Sequence, residues 1–444
     1  MQNSNTSTPI LENQQIDNPK IIRGWALYDW ANSVYNLVIT STIFPAYYEG
    51  ITSGNNGEIV LFGRTFVNTA LYNYVLAFAF LIVALLSPIL SSIADYKGNK
   101  KSFLRFFSTL GSISCSMLFF FTMDHFVIGL IFVILACIGF WSSLVFYNSY
   151  LPEIASDAKR DDVSAKGFTF GYVGSIILQL LCFVVVFKKE WFGIAAENNA
   201  LPAQISFVMV GIWWFGFAQI PLAILPKGTP STKQKSDSNL IKNGFLELKK
   251  VWQELKHKKV LKTFLFSYFF YNMGVQTVML VATLFGKKEL QLPTEGLIVT
   301  ILLIQIVAIP GAILIAKLSD KIGNMKALIS VIIFWIIILI AAYYIKTQVH
   351  FYILGAFVGF VMGGIQSLSR STYSKMIPAN KDTTSYFSFF DVTEKVAIVI
   401  GLLSYGYIEE LTGNMRNSIL AIMVFFIIGL IILIPIRNKK LNES

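Results

Sequence analysis

Charge is scarce in this chain. Only 14% of its 444 residues are Asp, Glu, Lys or Arg, against about a quarter in a soluble domain. Cysteine is rarer still: Cys115, Cys137 and Cys182 are the three, each inside an apolar block. An odd number so placed excludes a disulfide framework and reads as small core residues. The three histidines form no cluster, and His125 and His350 fall in loops, so a metal site is not expected. No Walker motif and no nucleophile–base or metal set is present, which disfavours ATP hydrolysis and enzymatic chemistry. The first twenty residues are polar, and no apolar run precedes Trp25, so they read as a short tail and not a signal peptide. No cofactor is implied.

What is abundant is apolar sequence, 55% of the chain. It comes in blocks of about twenty residues, the length at which a helix crosses the hydrocarbon core. Candidate spans are 24–48, 72–94, 102–122, 126–149, 165–187, 203–225, 261–285, 295–317, 326–345, 350–374, 384–410 and 415–436. A helical bundle satisfies every backbone group in lipid. The expected fold is therefore an all-α membrane protein of twelve spans in two six-helix halves. Residues 1–23 form a tail, 24–225 the first bundle, 226–260 a linker, 261–436 the second bundle and 437–444 a second tail.

Twelve spans put both termini on one side. Of the 36 Lys and Arg residues, 28 lie at that face, seven at the other, and Lys395 within a span. The bias predicts both termini in the cytoplasm and the chain in the cell (inner) membrane. It also accounts for much of the +11 net charge without a nucleic-acid partner. The linker opens with the flexible composition "PKGTPSTKQKSDSN". It continues with Ile241, Phe245, Leu248, Trp252 and Leu255 at helical spacing among lysines. That pattern predicts an amphipathic helix on the inner membrane face. A calmodulin-type target is the weaker reading.

The halves repeat. Asp95, Gly98, Asn99 and Lys101 match Asp320, Gly323, Asn324 and Lys326, each 225 residues on. His125-Phe126 and His350-Phe351 keep the same offset, and Pro152 and Pro378 are 226 apart. Duplicated six-span units are a transporter design in which one half rocks against the other around a central site.

"DYKGNKK", from Asp95 to Lys101, resembles the loop 2–3 signature of the major facilitator superfamily, and "DKIGNMK" its second-half copy. The usual leading glycine is Ser91 here and Ala316 in the copy, and the usual arginine is Tyr96. "GWALYDWANSVYNLVITSTIFP", "NSYLPEIA", "KGFTFGYVGS" and "GGIQSLSRS" together resemble the Atg22-like, or UMF1, branch. Where relatives often carry an acid in span 7, this chain has Met273. The resemblance implies a transporter. For fungal relatives it implies export of neutral amino acids from a storage compartment; for bacterial members it supplies no substrate.

Few ionisable residues enter the spans, and such residues are functional candidates by default. In span 1, Asp29, Ser33, Asn36 and Thr40 share a face with Asn32 beside it. A charged carboxylate at mid-helix costs about 2.5–3.5 kcal/mol on insertion scales. Two readings follow. Asp29, Asn32 and Asn36 line a wet cavity as a substrate or proton site, or Asp29 sits near the span end and pairs with Arg23 or a helix terminus. In span 11, Asp391 and Lys395 are four apart and able to pair, which leaves Glu394 to bind a proton or a substrate cation. The alternative there is a structural ion pair. Asp95, Gly98 and Lys101, with Asp320, Gly323 and Lys326, read as a cytoplasmic gate joining the halves when that face is closed. Arg370 and Glu153 are expected in the same network. Gln179, Gln276, Gln305 and Gln366 read as contacts between helices or to substrate. Tyr28, Trp30, Tyr35 and Tyr271 read as packing or an aromatic substrate wall. Gly167, Gly171 and Gly174 read as a close-packing face. Expected partners are a small-molecule substrate, protons and the lipid bilayer, with the chain a monomer.

Overall fold

In this computed structural model the described residues are 16–54, 57–195, 197–198, 200–227, 240–378, 383–412, 415–439 and 441. The first segment is α1 (Pro19–Val34), a π-helical stretch (Tyr35–Thr42) and α2 (Ile43–Thr52). A hairpin of β1 (Glu58–Leu61) and β2 (Arg64–Val67) follows. Then come α3 (Asn68–Lys97), α4 (Lys100–Met117), α5 (Phe126–Asn148), the single turn α6 (Leu151–Ile154), α7 (Arg160–Phe187) and α8 (Leu201–Ile224). The linker helix is α9 (Leu240–His257). The second half is α10 (Lys259–Glu289), α11 (Thr294–Ile322), α12 (Asn324–Tyr344), α13 (Gln348–Met376), α14 (Thr383–Thr412) and α15 (Met415–Leu433).

Among the described residues, ten helices are long and apolar enough to cross a membrane. Two further segments complete the set of twelve. One is 19–52, whose helix is broken at the π stretch, and the other is α14, whose Asp391, Glu394 and Lys395 lower its hydropathy. The expected single helix over 24–48 is thus two α-helices with wide-pitch turns between. The hydroxyls of Ser41 and Thr42 reach back to the carbonyls of Asn36 (2.8 Å) and Leu37 (2.7 Å) there. Such local bonds compete with the α ladder.

Each half builds its own apolar core. Trp25, Tyr28, Phe121, Phe146 and Trp214 are buried in the first, and Phe264, Tyr271, Trp335 and Phe426 in the second. Without a hydrophobic drive between helices in lipid, close approach through small residues holds the bundle. A Cβ on Gly139 would sit 2.4 Å from the Gly111 backbone, and one on Gly363 2.2 Å from the Ala308 carbonyl. The duplication survives in the element ends: α3 and α11 stop 225 residues apart, as do α7 and α14. The halves meet through α7 against α11 and α13, and through α14 against α3 and α5.

The starts of α1, α4, α7, α10, α12 and α14 share one end of the bundle with α9; this is the linker end. In α9, Val251 and Leu255 are buried while Trp252 is half exposed. The side chains of Ile241, Phe245 and Leu248, residues 228–239 and the first fifteen residues lie outside the described set.

Candidate functional site at the seam between the halves

Asp29 comes to lie under Arg370, 341 residues away in sequence. The Arg370 Nη1 is 3.3 Å from Asp29 Oδ2, and the Tyr147 hydroxyl donates to the same oxygen at 2.7 Å. Both charged side chains are at least 90% buried. Arg370 uses its remaining donors on the first half: Nε to Ser164 Oγ (3.0 Å), Nη2 to Ser164 O (2.8 Å) and Nη1 to Asn148 Oδ1 (3.2 Å). Its guanidinium also stacks over Phe168 (4.1 Å) and Trp25 (4.8 Å). The planar fork suits this many-sided contact. Gly167 makes room for it: a Cβ there would meet Asp29 Oδ2 at 2.7 Å and Arg370 Nη2 at 2.9 Å.

This geometry corrects two readings. Asp29 pairs neither with Arg23 nor with a helix terminus, and it does not face open water in this conformation. Arg370, expected at the gate, is instead the counter-ion of Asp29 and ties α13 to α1, α5 and α7. Asn32 is buried beside Asp29, with its amide nitrogen lacking a protein partner, and Asn36 is exposed in the π stretch.

A second node lies on α14. Lys395 Nζ bonds Asp391 Oδ1 at 2.8 Å and Glu394 Oε2 at 3.2 Å. It also stands 3.7 Å above the Trp141 ring of α5. Ser87 of α3 donates to Asp391 Oδ2 (3.2 Å), and Gln276 of α10 donates to Glu394 Oε1 (2.6 Å). Asp391 and Lys395 are sealed, whereas Glu394 keeps 18% of its side chain accessible. Glu394 lies eleven residues inside α14, about 16 Å along its axis, close to half the hydrocarbon thickness.

Two clasps close the linker end. In the first, Asp95 at the end of α3 caps α14: it accepts from Ser385 N (2.7 Å), Ser385 Oγ (2.8 Å) and Thr384 N (3.3 Å). Beside it Glu153 takes the Thr383 hydroxyl (2.8 Å) and pairs with buried Lys100. Gly98 ends α3 in the left-handed region at φ 63°, where a side chain is disfavoured. Lys101 stays within its own half, donating to Leu225 O at 2.7 Å and so capping α8.

The second clasp does not copy the first. Asp320 and Lys326 are exposed, and Gly323, at φ 88°, connects α11 to α12. The carboxylate that reaches across is Asp161, in the first turn of α7. It pairs with Lys375 Nζ (2.8 Å) and accepts from Ser319 Oγ (2.5 Å) and Asn324 Nδ2 (2.9 Å). Arg160 adds a bond to Ser374 O at 3.1 Å. Asp320 therefore does not supply the cross-half contact that the duplicated loop suggests.

Lys100, Tyr147, Asp161, Ser164 and Lys375 were not singled out by the sequence pattern. The 225-residue offset alone signals α7's first turn, since it matches the start of α14. Of the four span glutamines, Gln179, Gln276 and Gln366 bond a neighbouring helix.

The family described as "Vacuole effluxer Atg22 like" matches residues 17–443. This chain belongs to the Atg22-like family. An uncharacterized MFS-type transporter, YxiO, of Bacillus subtilis is 32% identical over 92% of this chain and 93% of its own. Autophagy-related protein 22 of Kluyveromyces lactis is 27% identical over 92% of each chain. Among solved structures, the xylose symporter XylE superposes with a TM-score of 0.69 at 15% identity, covering 93% of this chain and 94% of its own. The transporter FucP in its outward conformation gives 0.68 at 14% identity, covering 95% and 99%. The Atg22-like chain thus has the major facilitator fold and is a multi-pass membrane transporter, not an enzyme.

Proposed function

We propose that the protein is a proton-linked secondary transporter that moves small solutes, amino acids first among them, by alternating access. The observation that carries this reading is the charge count on α14: two carboxylates share one lysine. Lys395 neutralises one of them, and the other must hold a proton or a cation to lie at that depth. Glu394 is the accessible one, so it is assigned as the loading carboxylate, with Asp391–Lys395 as its fixed partner. Asp29, Asn32 and Asn36 form the facing wall on the first half, with Arg370 holding Asp29 while the linker end is shut. The gate is built from Asp95, Gly98 and Lys101 on one side and from the Asp320–Lys326 loop on the other.

Further support comes from the relatives' printed names. The family's is a vacuole effluxer, and both FucP and XylE are called proton symporters. Export of neutral amino acids is the direction favoured by the first. With basic residues crowded at the linker end, both termini are assigned to the cytoplasm of a cell membrane, and the transporter to a monomer. Export of other metabolites is the competing reading.

Counterflow of labelled amino acids in reconstituted vesicles tests this. Exchange above protein-free vesicles is expected, with accumulation when a pH gradient is imposed. Glu394→Gln should keep exchange and lose the pH-driven accumulation. Accumulation unchanged in that variant removes Glu394 as the proton carrier. Ligand binding without any flux would sink the transport reading itself.

A further inference from the structure

The linker helix α9 has two unlike faces. One is bolted to the bundle: Val251 and Leu255 are buried, and Glu254 accepts the Tyr386 hydroxyl of α14 at 2.7 Å. Tyr386 follows directly on Thr384 and Ser385, the residues that Asp95 caps. The opposite face carries Leu246, Lys249, Trp252, Gln253 and Lys256, all exposed, at the three- and four-residue spacing that forms one helical stripe. Leu246 and Trp252 expose 55% and 52% of their surface, and Lys256 lies over the Trp252 ring at 5.7 Å. No carboxylate shares the stripe. A single residue, Lys258, separates α9 from α10, which enters the membrane. Exposed Lys259 and Lys262 open α10. The stripe therefore stands at the height of the lipid headgroups, with large apolar anchors between cations, the composition that lies in a membrane interface.

We propose that this stripe is a contact surface for anionic phospholipid headgroups of the membrane the protein spans. Because the other face of α9 grips α14 next to the Asp95 cap, lipid charge reaches the gate through Glu254 and Tyr386. The inference does not depend on which solute is carried.

The test uses the full chain with an environment-sensitive fluorophore on Gln253→Cys; the three native cysteines are buried, which directs the label. In vesicles of phosphatidylcholine alone the probe should report water. Adding phosphatidylglycerol should move its emission to shorter wavelength. Lys249→Gln/Lys256→Gln should lose that shift without losing the fold, checked by unchanged thermal unfolding in detergent. No shift with phosphatidylglycerol overturns the proposal, and so does a shift that survives the double substitution. Soluble polyglutamate shifting the probe in neutral vesicles as far as phosphatidylglycerol does would also overturn it, in favour of an acidic protein partner.

Discussion

At one clasp a loop carboxylate, Asp95, receives two backbone N–H groups and a hydroxyl from the start of α14. At the other, Asp161 sits on the helix start itself and meets a lysine, an amide and a hydroxyl from α11–α13. The two lie at matching places in a duplicated chain, yet one is a charge–dipole cap and the other a buried ion pair. A cap leaves only satisfied neutral groups when its acid is removed, because water can replace the carboxylate at a half-buried site. An ion pair with Asp161 almost wholly buried leaves Lys375 without a counter-charge. The duplicated fold therefore has one light latch and one heavy hinge.

Three substitutions sharpen or break that contrast. The largest effect is expected for Asp161→Asn, which strips Lys375 of its partner and should cost about 3–5 kcal/mol. Thermal unfolding in detergent reads it, and adding Lys375→Met should recover part of the loss. A small single effect with no recovery would erase the distinction. Next, Asp95→Ala should cost about 1–2 kcal/mol, the worth of a helix cap. That shifts the closed-to-open ratio by about 5- to 30-fold, read as slowed flux with solute binding spared. Normal flux would remove the latch.

The smallest effect belongs to Asp17, ahead of α1. Partial burial raises its carboxyl, but the Ser156 N–H and hydroxyl and the Lys159 charge outweigh this and hold it below 3.8. A lowered folded value means the stabilisation is complete near neutral pH and fades as pH falls below 3.8 and through the lowered value. Asp17→Asn should therefore lose about 0.2–1 kcal/mol at pH 7, a gap to the native chain that closes on acidification. A gap that widens in acid would reverse the assignment.

Much of the fold was legible in the sequence because lipid imposes length and apolarity on every span, and the duplication repeats its landmarks. Where each polar side chain ends up was not. Asp29 and Arg370 meet only because the halves pack, and no local pattern links positions 341 residues apart. Asp391 and Lys395 were readable as a pair because one helix turn joins them, whereas Ser87, Gln276 and Trp141 come from three other helices. The loop copies at Asp95 and Asp320 look equivalent as strings. Their environments differ because α7 brings its own acid in its first turn while α14 brings threonine and serine.

The wide turns at Tyr35–Thr42 have a consequence for how such a molecule moves. Their Asn36 and Leu37 carbonyls are already met by the Ser41 and Thr42 hydroxyls, so re-winding them trades one set of bonds for another at little net cost. The upper portion, Ile43–Thr52, is thus jointed to a lower shaft pinned at Asp29. A molecule so jointed can flex at its far mouth without first unlocking its foot.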